Sequence, residues 1–395
     1  MKEIKPIINS ILNDDLYKFS MQNAVIKKFP SAKVEYKFIN RGKHKFPEGF
    51  GEELRKQVKY MEDLKLQKNE KDFLEANCTY FDNIYINYLS NYRYNSSEIG
   101  IIQSGNELDV SVSGFWHSTI LWEVPVMAII SELYFLMTGQ TADIRSEREK
   151  TNNNKAKLYG SNNIFYAEFG TRRRFSNDNQ EEVIKDLKEN YMFNRNFVGT
   201  SNVYFAMKYD LKVIGTHAHE WFMFHAAKYG YKMANHIAME NWIDVYRGDL
   251  GIALSDTFTT DVFLKTFDKK FAKLYDGVRH DSGEPIEFAK KIIDHYKKLG
   301  IDPMTKVIVF SDGVNPELAV KVKKYCIGKI MCSFGIGTNF SNDVGVKPKN
   351  IVIKMILAKP EDGEWVKCVK LSDDKGKNTG EPKEIEISQY TLNIN

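Results

Sequence analysis

A chain of 395 residues is longer than one hydrophobic core usually serves, so two domains, or one large barrel with additions, is the expected organisation. Hydrophobic residues make up 43% and charged residues 27%, the usage of an ordinary folded protein, which excludes long disordered tracts. With 56 Lys and Arg against 52 Asp and Glu, the net charge of +4 is too small for a nucleic-acid partner and suits small anionic ligands.

The opening segment MKEIKPIINSILNDD is interrupted by Asn9, Asn13, Asp14 and Asp15, so no signal peptide is expected. The first 120 residues then mix helices (Asp14 to Phe29, Glu52 to Leu66, Glu70 to Glu75, Asp82 to Tyr92) with alternating strands (Ala32 to Asn40, Glu107 to Trp116). That is an α+β layer. The apolar stretch Trp122 to Met137 carries Glu123, Pro125 and Glu132 and falls short of the roughly 20 residues a bilayer needs. It reads as a buried helix, with no membrane partner. The Asn/Lys-rich stretch from Glu147 to Asn163 reads as a helix end and a surface loop.

From Phe165 onward, short β-rich runs end in small or polar residues and alternate with helices, for example Glu287 to Leu299 and Pro316 to Tyr325 with Asn315 as N-cap. The runs are FYAEFGTR, NFVGTSN, LKVIGTHAHE, IALSDTF, YDGVRHDSGE, KVIVFSDGV and MCSFGIGT. Seven successive β/α units predict a parallel, nearly closed barrel. The strands Asn350 to Lys359 and Glu364 to Leu371 lie beyond that pattern and are expected to return to the N-terminal layer. The predicted fold is therefore α/β: an irregular (β/α) barrel over residues 126–344, and an α+β sandwich domain from residues 1–125 and 345–395. The cysteines Cys78, Cys326, Cys332 and Cys368 lack zinc-ligand spacing and fit the free thiols of a cytoplasmic protein.

A parallel barrel places its active site at the carboxyl ends of the strands. Those ends carry, in order, Arg172, Ser201, His219, Asp256, Arg279 with Asp281, Asp312, and the glycines of GIGT. In Ser311-Asp312-Gly313 and in Gly335 to Thr338, glycines follow apolar strands, where bare backbone N–H groups can approach a phosphate. The run Arg172-Arg173-Arg174 should send at least one guanidinium into the barrel mouth, to meet phosphate or carboxylate. His217 and His219 are two apart, which in a strand puts both on one side. One reading is a metal pair completed by Asp281, as in barrel hydrolases; the other makes one histidine a nucleophile or acid/base, with Asp256 on the next strand as its partner. A third reading is a nucleotide-binding barrel without turnover.

The ordered set LNDDLYKFSMQNAV, EFGTRRRFS, VGTSN, IGTHAHEW, GVRHDSGEP, VFSDGVN, SFGIGT and NIVIK resembles the nicotinate phosphoribosyltransferases, a type II phosphoribosyltransferase family, over nearly the full length. The resemblance implies attack of nicotinate on phosphoribosyl pyrophosphate, ATP hydrolysis coupled to it, and Mg²⁺ carried chiefly by the substrate's pyrophosphate without a protein metal cage. It implies phosphorylation of His219, with Asp256 orienting that ring and Asp281 holding ribose hydroxyls. Arg172 and Arg279 would meet phosphate or the nicotinate carboxylate. Phe169 and Tyr17 would sandwich the pyridine ring, Tyr17 arriving from the second subunit of a homodimer. Ser201, where amide-using relatives have Asp, would donate to the nicotinate carboxylate. Ser311, Asp312, Gly313, Gly335, Gly337 and Thr338 would cradle phosphate. After GIGT the chain reads NFSNDV, where amide-using relatives carry a further Arg, which leaves that loop's phosphate contacts open.

Overall fold

The computed structural model describes residues 4–140, 144–189, 195–361, 363–374 and 376–394. Its strands, in chain order, are β1 (Lys33–Asn40), β2 (Ile99–Ser104), β3 (Glu107–Phe115), β4 (Tyr166–Glu168), β5 (Phe197–Thr200), β6 (Arg247–Leu250), β7 (Ile252–Leu254), β8 (Gly277–His280), β9 (Val307–Phe310), β10 (Met331–Ile336), β11 (Ile351–Lys359) and β12 (Val366–Lys367). All of them except β6 form two sheets. One is antiparallel, in the order β12-β11-β1-β3-β2; the other is parallel, in the order β5-β4-β10-β9-β8-β7.

The parallel sheet is the irregular barrel that the β/α alternation predicts. Six of the seven expected runs are strands; the seventh, around Leu211, contributes a single parallel bridge between Val213 and Thr200. Its chain leaves strand geometry before Gly215 and enters the helix His219–Tyr229. β4 and β8 bury nearly every residue, as expected when helices and the barrel interior cover both faces, while β5 and β9 bury about half of theirs.

The return of the C-terminal strands is seen directly: β11 pairs with β1 from Lys33↔Lys359 to Asn40↔Ile351. β1 alternates because one face meets the core, with Val34, Tyr36 and Phe38 buried. The helix Glu123–Met137 packs against β11 and the turn Thr171–Arg173; the apolar segment Trp116–Met137 is long enough to cross a membrane by composition, yet 78% of its most apolar window is buried inside the protein.

Four local expectations need correction. Residues 147–163 are not a helix end and loop; they belong to the helix Ile144–Ser161, which buries Asn152, Lys155, Ala156 and Tyr159 at helical spacing. The helix expected from Asp14 to Phe29 runs from Leu16 to Lys28, with Leu16 to Val25 all buried. The expected strand Glu364 to Leu371 shrinks to β12, after which Lys370 makes an isolated bridge with Thr379. The strand β2 and the C-terminal helix Pro382–Leu392 escaped the sequence patterns, the first because its buried face is only half covered.

Candidate active site

The carboxyl ends of the barrel strands face β11, and between them lies a cavity of about 600 Å³. It is lined by Tyr17, Phe169, Arg172, His219, Arg279, Asp281 and the two glycine turns, and not by Ser201, His217 or Asp256. Proximity follows from topology. β9 and β10 are neighbours, so Ser311 to Gly313 and Gly335 to Thr338 meet at one wall. Gly313 adopts φ 57°, a conformation costly for other residues. A Cβ on Gly335 would sit 3.3 Å from the Phe169 ring, so that glycine also gives Phe169 its place.

His219 is the first residue of its helix and is 6% exposed. Its Nε2 lies 2.9 Å from Asp281 Oδ2 and its Nδ1 lies 3.0 Å from Thr257 Oγ1. This corrects the expected role of Asp256. Its Oδ1 is 3.8 Å from Nε2, while its Oδ2 accepts from Ser282 Oγ at 2.6 Å and pairs with Lys370 at 3.3 Å. The nearer carboxylate, Asp281, is fixed from its other oxygen by Arg279 and Ser311 Oγ, each at 2.8 Å. Burial would raise the Asp281 carboxyl, but Arg279 and His219 hold it well below the ordinary carboxylate range.

Burial, with Lys370 adding to it, lowers His219 from 6.5 to about 4 against the pull of Asp256 and Asp281. The neutral ring is thus the folded form. Since the unfolded chain takes up this proton first, the stability involved is intact above pH 6.5 and is lost as pH falls toward 4. An NMR titration of the His219 ring should accordingly show no protonation between pH 7 and pH 5.5; a midpoint near 6.5 would contradict the burial argument.

The metal pair fails on geometry. His217 and His219 are not in a strand, and His217 turns away from the cavity, edge-on to Phe222 and Trp242 with ring centroids 5.2 Å and 4.7 Å away. Neither of its nitrogens has a hydrogen-bond partner among the described residues. The ligand atoms of His219, Asp256 and Asp281 do lie within 4.8 Å of one another and could converge on a cation, although Lys370 and Arg279 already supply positive charge to both carboxylates.

One further expectation changes. Ser201 is fully buried, and its hydroxyl donates to Asp15 Oδ1 at 2.8 Å; Asp15, not Ser201, reaches the cavity wall. Tyr17 lines the cavity of its own chain together with Phe169. Of the three consecutive arginines, Arg172 and Arg173 line the cavity. Arg174 is wholly buried and donates to Asn13 and Gln180 at 3.0 and 3.2 Å. The NFSNDV loop packs beneath this turn: Ser341 donates to Gly170 O and Asn342 to Arg173 O, both at 2.8 Å.

Several lining residues were missed. Arg41, Lys354, Lys370 and Lys377 come from β1's end, β11 and the C-terminal segment, which close over the barrel mouth. Burial lowers Lys354 to about 8, partly offset by Glu123. Below the cavity, Lys18 Nζ sits 2.5 Å from both Glu123 and Glu220, and Glu123 also contacts Arg172 at 3.5 Å. The signal was available: Lys18 and Glu123 are charges inside runs otherwise apolar enough to be buried.

Residues 164–394 match the family model described as the nicotinate phosphoribosyltransferase (NAPRTase) family, and residues 12–131 match the model of its N-terminal domain. The chain is 52% identical over 386 residues to a nicotinate phosphoribosyltransferase of Chromohalobacter salexigens, covering 98% of each chain. It is 44% identical over 406 residues to one of Methanosarcina acetivorans, again covering 98% of each. Among solved structures, the nicotinate phosphoribosyltransferase of Porphyromonas gingivalis superposes with a TM-score of 0.95 at 45% identity, covering 98% of this chain and 100% of that one. The Vibrio cholerae structure gives 0.91 at 33% identity, covering 98% and 95%.

Proposed function

The chain belongs to the nicotinate phosphoribosyltransferase family of enzymes, and on that premise we propose that it joins nicotinate to the phosphoribosyl group of phosphoribosyl pyrophosphate, with ATP hydrolysis coupled through phosphorylation of His219. The products are nicotinate mononucleotide and pyrophosphate, a step of NAD salvage. The observation that carries this reading is that His219 shares one cavity with cationic and glycine-rich groups and with the rings of Tyr17 and Phe169.

In this reading the pyridine ring stacks between Tyr17 and Phe169, whose faces suit a flat heteroaromatic. Arg172, anchored by Glu123, meets the nicotinate carboxylate or a substrate phosphate. Asp281 and Arg279 engage the ribose hydroxyls and pyrophosphate, and the backbone at Gly313, Gly335 and Gly337 receives the 5′-phosphate. The pyridine nitrogen needs no deprotonation, so an oxocarbenium-like transition state is stabilised by position and charge alone. Mg²⁺ would arrive on the pyrophosphate and neutralise its charge, carried by the substrate without a cage of protein ligands. The four buried, unpaired cysteines suit a cytoplasmic setting.

The acid should be strongly preferred over the amide. With Arg172 aimed at a carboxylate, kcat/KM for nicotinate is expected to exceed that for nicotinamide by about 100-fold or more. Product formation followed with each substrate, in the presence of phosphoribosyl pyrophosphate, Mg²⁺ and ATP, tests this. Comparable turnover of the two would remove the acid assignment, and no product from either would return the chain to a binding role.

A further inference from the structure

We propose that Thr257 is a positioning residue for His219, its hydroxyl serving Nδ1 as donor or acceptor so that either ring tautomer is held with Nε2 toward the cavity; the inference rests on the phosphohistidine reading above. Thr257 follows Asp256 at the end of β7 and is 1% exposed. Its backbone carbonyl accepts from Leu371 N at 2.8 Å, which fixes it against the same C-terminal segment that carries Lys370. Its Oγ1 lies 3.0 Å from His219 Nδ1, and among the described residues that hydroxyl has no other hydrogen bond. Thr257 is outside the cavity wall, whereas Asp281 is within it, so Nδ1 faces the protein and Nε2 faces the ligand space.

The two contacts assign the resting proton. An ionised carboxylate can only accept, so Nε2 carries the hydrogen donated to Asp281 at 2.9 Å. A neutral ring then has its lone pair on Nδ1, and the Thr257 hydroxyl donates to it. That resting tautomer cannot attack through Nε2. Attack requires the proton on Nδ1, with the Nε2 lone pair free. The exchange is made with cavity water as the ring swings out about Cβ–Cγ: water takes the proton from Nε2 and returns one to Nδ1 before the ring settles back on Thr257, so neither ring nor water changes charge. A carboxylate beside Nδ1 would accept from only one tautomer. A hydroxyl, with one hydrogen and two lone pairs, turns and accepts from Nδ1–H. In the transfer the Nε2–P bond forms, the bond from the γ-phosphorus to the bridging oxygen breaks, and ADP leaves with that electron pair. Nδ1 keeps its hydrogen on Thr257 throughout.

Thr257→Val removes the hydroxyl at nearly constant shape, and Thr257→Ser keeps it. With full-length enzyme, Mg²⁺ and γ-labelled ATP, transfer of label to His219 is expected to slow by about 10- to 100-fold in Thr257→Val and to regain the parental rate in Thr257→Ser. In the unliganded parent, ¹⁵N-histidine spectra should place the His219 proton on Nε2. Parental labelling by Thr257→Val overturns the proposal, as does equal slowing in both variants or a resting proton on Nδ1. If Thr257→Val shows no cooperative melting, Thr257→Ser and the parent spectrum decide. A parent enzyme that takes no label overturns the phosphohistidine reading itself, and this role with it.

Discussion

His219→Asn is expected to abolish ATP stimulation of nicotinate mononucleotide synthesis, a loss of about 100-fold or more in the ATP-driven rate, while a slower ATP-independent transfer survives. The two halves of that result have separate causes. Asparagine keeps a polar group of similar reach but cannot accept a phosphoryl group, so the route through a phosphorylated intermediate closes. The pyridine and phosphate contacts from Tyr17, Phe169, Arg172, Arg279 and the glycine turns are untouched, and positioning alone continues to lower the barrier to transfer. Initial rates with and without ATP separate the components. A variant still stimulated by ATP to the parental degree would remove His219 from the coupling step.

Lys18→Met is expected to cost about 3–5 kcal/mol of folding stability at neutral pH, the scale for removing one partner of a buried ionic group. Lys18 is fully buried between Glu123 and Glu220, and Trp116 Nε1 also donates to Glu220, at 3.2 Å. Burial alone would raise the Glu123 carboxyl, but Lys18 and Arg172 hold it at about 2. Without the ammonium, both carboxylates are stranded unless they bind protons. The defect should therefore be largest above the carboxylate range and shrink as pH falls into it, because protonation neutralises the orphaned groups. Denaturant melts of parent and variant at pH 7.5 and pH 5.5 measure this. A loss below about 1 kcal/mol at pH 7.5 would show that the triad is wet or that the chain relaxes around it. Because Glu123 anchors Arg172, an accompanying rise in KM for nicotinate is expected.

The strand ends were the most legible part of the site. Short apolar runs ending in Arg, His, Asp or Gly specify both the β/α alternation and the end at which chemistry collects, so Arg172, His219, Arg279, Asp281 and the glycine turns could be placed on one cavity from sequence. What sequence could not give was the direction of each side chain where regular structure stops. Residues 215–218 have neither strand nor helix geometry, so the two-residue spacing of His217 and His219 lost its meaning, and one ring turned to the core while the other faced the cavity. Ser201 was assigned a ligand, but the N-terminal segment brings Asp15 close enough to take its hydroxyl. Asp256 lost its expected place to Asp281 because Ser282 and Lys370 draw its carboxylate away, and Lys370 arrives from the far end of the chain. Such long-range pairings carry no local periodicity. The cationic roof of Lys354, Lys370 and Lys377 was hidden for the same reason: it exists only once β11 has paired with β1.

The coupling of ATP to product is tested most directly by stoichiometry. Purified enzyme supplied with nicotinate, phosphoribosyl pyrophosphate, Mg²⁺ and ATP should release ADP together with nicotinate mononucleotide, in a constant ratio through the time course. It should also yield acid-labile, base-stable phosphate on His219 when the reaction is run with ATP alone. Formation of nicotinate mononucleotide at an undiminished rate with no ADP released and no label on His219 would contradict the account.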